Sequence, residues 1–379
     1  MKVRTITAGL TLDTECSRLV ETIDRLAVAQ AAFADSGYEV QTVRIAVQPL
    51  DTIVYSSDTT VRDLVGRIHK ICDAHNFQFV SLGPINSQGD ITLADALPSL
   101  LAEHEMLNTS IALVSNGQVD GPACRAAAEV ISRLAYETPG GIGNFRFAAT
   151  AGCPPGIPFF PSAYHDGGEP TLAIGLQSAD LVEEAFTSVD GLVGAAERLI
   201  DMFNRALAPV ARLGEELVEQ FGWCYLGIDL SPAPMGEVSI ARAFETLGFG
   251  AFGEAGTLSI AAMATQALEQ VDTRRCGFSG LMFPVLEDAQ LGQRNAEGRF
   301  GIQDLLLYSA VCGTGLDTVP IPGNTPLERI ERLLLDVASL SIRLNKPLSA
   351  RLFPVPGKVA GEMTEFDSPY LTNTLVMNL

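Results

Sequence analysis

Residues 3–49 read VRTITAGLTLDTECSRLVETIDRLAVAQAAFADSGYEVQTVRIAVQP. The opening VRTITAGLTL is rich in β-branched residues and alternates apolar with polar side chains, the pattern of a strand. From Ser17 the apolar residues recur at helical spacing until Gly37, a glycine that stops a helix. VQTVRIAVQP, residues 40–49, returns to strand. A strand, a crossover helix and a second strand make a parallel pair with a right-handed connection.

The same alternation runs down the chain. Strands are expected at 77–85 (FQFVSLGPI), 108–115 (NTSIALVS), 144–152 (NFRFAATAG), 171–176 (TLAIGL), 223–231 (WCYLGIDLS), 277–285 (GFSGLMFPV), 315–321 (GLDTVPI), 348–355 (LSARLFPV) and 373–378 (NTLVMN). Helices are expected between them, with Pro98 kinking or restarting one and a long one from about Leu192 to Phe221. The helix after Thr325 carries a capping box, with Thr325 as N-cap, Pro326 in the first turn and Glu328 as partner. Residues 153–170, CPPGIPFFPSAYHDGGEP, are too rich in proline and glycine for regular structure; a loop this long in a compact protein points to function. About ten mostly parallel strands strain an open sheet, and closure removes the edges. The expectation is one α/β-barrel domain over residues 1–379.

Composition narrows the function. The chain has 379 residues, 47% of them hydrophobic, and 45 acids against 25 bases give a formal charge of −20. That balance opposes nucleic acid and anionic membrane surfaces as partners. No run approaches a membrane span, and the N-terminus reads as a strand, not a leader. Seven scattered cysteines, Cys16, Cys72, Cys124, Cys153, Cys224, Cys276 and Cys312, form no C-x-x-C pair, so reduced thiols in the cytoplasm are expected.

Six ordered motifs carry a resemblance: VRTITAGLTLD (3–13), FPSAYHDGGEP (160–170), GIDLSPAP (227–234), GFSGLMFPVLED (277–288), VCGTGLDTVPIPGNTP (311–326) and GEMTEFDSP (361–369). Together they resemble an uncharacterised family, number 711 among the domains of unknown function, over nearly the whole chain. The resemblance implies a ten-stranded α/β barrel similar to the pyruvate formate-lyase and glycyl-radical enzymes, with a cysteine loop threaded into its centre. It implies no reaction. PGKVAGEM (356–363) is similar in outline to the glycyl-radical motif around Gly361, but Lys358 stands where that motif has arginine and Glu362 where it has an aromatic residue.

Candidate site residues follow from chemistry and position. Cys312 lies between an apolar helix and two glycines, Gly313 and Gly315, that let backbone approach a ligand. It reads equally as a buried residue in a tight turn or as a nucleophile, ligand or acid/base. Asp317 sits in an apolar strand and needs a partner. Asp229 lies at the C-terminal end of a strand, where ligands gather in parallel α/β folds. His165 can act as acid, base or metal ligand, with Glu169 to orient it or share a metal; hydrogen bonding within the loop is the alternative. Glu287 and Asp288 either cap a helix or reach the strand-end pocket. These acids with His165 can form an oxygen-rich Mg²⁺, Mn²⁺ or Ca²⁺ site, or do acid/base work without a metal. The expected function is an enzyme on a small polar metabolite, of lyase, isomerase or hydrolase type. A non-catalytic metabolite sensor on the same barrel is the alternative, a radical enzyme a remote one, and a homo-oligomer is compatible with either.

Overall fold

The structure is a computed structural model that describes residues 1–55, 60–86, 88–187 and 189–379. Nine strands form one sheet: β1 (Lys2–Leu10), β2 (Val40–Pro49), β3 (Val80–Gly83), β4 (Leu107–Ala112), β5 (Phe147–Ala151), β6 (Thr171–Gln177), β7 (Cys224–Ala233), β8 (Gly315–Pro322) and β9 (Leu348–Val355). Their order is β8-β9-β5-β4-β3-β2-β1-β6-β7.

β1 to β5 run parallel to one another. β6 and β7 are parallel, as are β8 and β9. Both pairs run against the first five, because β6 joins β1 and β9 joins β5 antiparallel. The sheet is therefore mostly parallel with two antiparallel joints. Every residue of β9 is buried, as befits a strand covered on both faces.

Helices supply the outer cover. α1 (Leu19–Asp35) buries Leu19, Ile23, Leu26, Ala29 and Phe33 at helical spacing. α2 (Val61–Ala74) follows with a Thr60 cap on Asp63 N, and α3 (Gly121–Glu137) with an Asp120 cap on Ala123 N. α4 (Gly191–Phe221) spans 31 residues despite Pro209 inside it, and ends at Gly222 in the left-handed region. α5 (Ala289–Ala296), α6 (Ile302–Ser309) and α7 (Leu327–Leu344) complete the elements used below. Pro98 starts a new helix at Leu97–Glu103.

Three local expectations fail. The Thr325 side chain does not cap α7: its hydroxyl donates 2.6 Å to Pro322 O, and the N-cap is Pro326 without a side-chain bond. NTLVMN contributes a single bridge, Met363 to Leu375. GFSGLMFPV is not a regular strand either. Together with the two residues before it, it lies beside both edge strands, through parallel bridges Ile228–Arg275 and Pro284–Asp317. Cys276 N donates to Ile228 O at 3.1 Å, and Val285 N to Asp317 O at 3.1 Å. At Gly280 this segment presses on Gly313 so closely that a Cβ on Gly313 would stand 2.6 Å from Gly280 backbone carbon, and Gly313 N donates to Leu281 O at 2.8 Å.

The proline-rich loop packs against the strands. Thr7 Oγ1 donates to Pro158 O at 2.9 Å, and His165 N to Val47 O at 3.1 Å. A Cβ added to Gly175 would meet the Phe159 ring at 3.1 Å, so the glycine makes room for that ring.

Candidate functional site

A cavity of about 810 Å³ opens among β1, β2, β4, β8, β9 and the 282–287 segment, with the 159–160 and 367–370 turns on its walls. Its polar centre comes from strand positions where an arginine interrupts apolar sequence. Arg4 on β1 and Arg351 on β9 both reach Glu287, at 2.7 Å to Oε2 and 2.6 Å to Oε1. Arg351 Nε also holds Asp317 at 2.5 Å. Glu287, Asp317 and Arg351 are all buried.

A bulge aims Asp317. The β8–β9 register shifts between Leu316 and Val319, and Thr318 adopts a positive φ of 44°. A β-branched residue in that region marks a strained backbone. Burial pushes the Glu287 carboxyl up, but the charges and hydrogen bonds of Arg351 and Arg4 outweigh it and hold the group below its ordinary range.

Arg44 on β2 is different. Its Nε donates to Thr42 Oγ1 at 2.9 Å, and its guanidinium lies 5.4 Å from the Phe79 ring and 5.0 Å from Phe160. Among the described residues its two terminal nitrogens make no hydrogen bond or ion pair. Burial, then the nearby charge of Arg4, pulls its pKa down to about 9. Phe145 and Tyr370, also on the lining, stack with centroids 6.0 Å apart, and Arg351 lies over Phe145.

Of the residues expected at the site, Glu287 and Asp317 line this cavity, and the others do not. Asp229 is a backbone clasp. It accepts from Ser231 N (2.9 Å), Ser231 Oγ (2.6 Å), Phe278 N (2.8 Å) and Ser279 N (2.9 Å), fixing the 274–280 segment to β7. Asp288 is the N-cap of α5, accepting from Gln290 N and Leu291 N at 3.0 Å, and it also takes Ser239 Oγ at 2.5 Å. Cys312 is fully buried after α6, where burial raises its thiol and Lys346 Nζ donates to its carbonyl. Gly313 abuts Gly280, and Gly315, at φ +99°, abuts Ser349 backbone, so both glycines serve chain packing here.

His165 is 2% exposed against Gly9, with Nε2 unpartnered, and burial lowers its pKa. Glu169 is exposed. Among the described residues no three His, Cys, Asp or Glu side chains gather as a metal site, so the Mg²⁺, Mn²⁺ or Ca²⁺ expectation finds no ligand set there. Gly361 lies in an exposed turn away from the cavity lining. No helix among the described residues is long and apolar enough to cross a membrane.

Sequence reading missed Arg4, Arg44 and Arg351. The signal was present: a cation inside TVRIAV or SARLF must be buried and must face something polar.

The profile of a family described as "Uncharacterised ACR (DUF711)" matches residues 1–368. A "UPF0210 protein" of Pyrobaculum islandicum is 30% identical over 392 residues, covering 97% of this chain and 84% of that protein. One from Oleidesulfovibrio alaskensis is 28% identical, covering 97% and 88%, and one from Carboxydothermus hydrogenoformans 26%, covering 100% and 91%. The chain belongs to this family.

Proposed function

From that membership, which names no reaction, we propose that the chain is a barrel protein that binds a small polar metabolite in the cavity around Glu287. The fold reading counts residues 274–288 as the tenth member of a closed ring. β1 to β5 form one parallel half; β6, β7, this segment, β8 and β9 form the other. The parallel bridges Ile228–Arg275 and Pro284–Asp317 support closure, since they join the segment to both edge strands. Such a two-half ring is similar to the pyruvate formate-lyase-like barrel.

The observation that carries the binding reading is the convergence of buried charged groups on an 810 Å³ hollow. Ligand sites are concave, partly aromatic and furnished with a few well-placed polar groups. Charges buried on four separate segments are costly to assemble for stability alone.

A second reading makes the cavity an acid/base active site. Its support is the Glu287–Arg351–Asp317 chain, which sets two carboxylates on one guanidinium. In this reading Glu287, held ionised, takes a proton from the substrate once the substrate displaces an arginine from it. Cys312 and His165, expected as catalytic groups, stand outside this reading because neither lines the cavity.

The test is a thermal-shift screen of small metabolites with the wild type and Asn108→Phe, which fills the cavity from β4. Compounds that stabilise only the wild type support the binding reading; stabilisation of both alike, or of neither, refutes it. Turnover of a stabilising compound, lost in Glu287→Gln with binding kept, supports the enzyme.

A further inference from the structure

We propose that the ligand of this cavity carries a carboxylate and that Arg44 receives it. This rests on the cavity being a metabolite site. Of the four guanidiniums on the lining, Arg146 is taken up by the carbonyls of Leu101, His104 and Leu107; Arg4, Arg44 and Arg351 are left beside the buried carboxylates Glu287 and Asp317. Arg4 and Arg351 are committed to those acids; Arg44 has no acidic partner among the described residues. It is only 9% exposed, and a buried charge without a counter-charge is costly.

The geometry leaves one edge of Arg44 for a ligand. Nε is taken by Thr42 Oγ1, and the Phe79 and Phe160 rings flank the guanidinium. What remains is the Nη1–Nη2 edge, a planar fork that matches a carboxylate or phosphate with two parallel hydrogen bonds.

Charge chooses between the two. The set around Arg44 sums to one excess positive charge, Arg4, Arg44 and Arg351 against the buried Glu287 and Asp317; the wider lining adds Arg146 against Asp73, Glu103, Glu105 and Asp367, four acids that are exposed to solvent, where their charge is screened. A carboxylate supplies one negative charge and neutralises the set. A phosphate monoester brings about −1.5 to −2 at neutral pH and would leave net negative charge beside Glu287 and Asp317. The stacked Phe145 and Tyr370 rings offer a flat wall for the rest of the acid.

The test is calorimetric titration of the full chain with acetate, glycolate and benzoate, each paired with its neutral amide, and with inorganic phosphate. At least one carboxylate is expected to saturate the wild type about tenfold or more tighter than its amide and than phosphate. Arg44→Gln should weaken that binding by about tenfold or more, and Arg44→Lys, which keeps the charge but loses the fork, by less. Arg44→Met should raise the melting temperature of the ligand-free protein, because it removes an uncompensated buried charge.

Equal binding of acids and amides, tighter binding of phosphate, no saturable binding of any of the three acids, or unchanged affinity in Arg44→Gln overturns the proposal. So does a lower melting temperature for Arg44→Met. Amides that bind as well as acids, and fail to bind Asn108→Phe, would leave the metabolite site standing and remove only the carboxylate. A wild type that takes up no compound of either charge would remove the metabolite site itself.

Discussion

Replacing Arg351 with methionine keeps the apolar stem and deletes the guanidinium that joins Glu287 to Asp317. Both carboxylates are buried on the cavity wall, so the variant strands charge with little water around it. Glu287 retains Arg4, but Asp317 loses the one ion-pair partner it has among the described residues. Removing one member of a buried pair costs about 3–5 kcal/mol. Unfolding entropy of roughly 2.1 cal/mol/K per residue gives, over 379 residues, roughly 0.8 kcal/mol/K. Dividing the cost by that entropy gives a melting temperature about 4–6 °C lower.

Scanning calorimetry at neutral pH reads the change directly. Adding Asp317→Asn to Arg351→Met removes the stranded charge, so the double variant should recover about 0.5–3 kcal/mol of the loss. The acid limb gives an independent sign. Glu287 sits below its ordinary pKa in the folded protein, so its stabilisation is present above the unfolded value of about 4.3 and is lost as pH falls through the lower folded value. Without Arg351 that pKa rises, and stability should fall less steeply below about pH 4.3 than in the wild type. An Arg351→Met protein that melts within about 1 °C of the wild type would refute the reasoning.

Three further outcomes follow from the same structure. Asp288→Ala should destabilise by about 2–4 kcal/mol, since it removes a helix cap and leaves the buried Ser239 hydroxyl without its acceptor, while Asp288→Asn should cost less; chemical denaturation reads both. Gly313→Ala should cost about 1–3 kcal/mol by the same measurement, because its Cβ would collide with Gly280 backbone. In timed alkylation mapped by mass spectrometry, exposed Cys224 should label first, and Cys72 and Cys124, whose thiols burial pushes up to about 12, should label with Cys312 only on unfolding.

Most of the fold was legible because its signals are local. The alternation of VRTITAGLTL and the helical spacing after Ser17 depend on near neighbours alone, and β1 and α1 stand where they were expected. GFSGLMFPV was harder. Its composition suits a strand, but it pairs only through isolated bridges and packs backbone to backbone against Gly313, a contact remote in sequence. Thr325 failed as a cap because Pro322 O offers its hydroxyl an alternative acceptor.

The site was half legible. Asp317 and Glu287 could be marked because an acid in or beside an apolar strand demands a partner. That partner, Arg351, lies 34 residues from Asp317 and 64 from Glu287, so only the folded sheet reveals the pairing. Asp229 looked the same in sequence, yet its demand is met by backbone N–H groups of residues 278 and 279 and not by a cation. His165 and Cys312 were marked by residue type and by the loop or turn that carries them, and neither says which wall a side chain faces.

The central claim is that the hollow around Arg44, Glu287 and Arg351 receives a small molecule. A crystal structure grown with a compound that stabilises the wild type tests it most directly. Density for that compound in the hollow, with an acidic group on the Nη edge of Arg44, is the expected result. Density on another surface, with Arg44 unchanged and the hollow filled only by water, would contradict it.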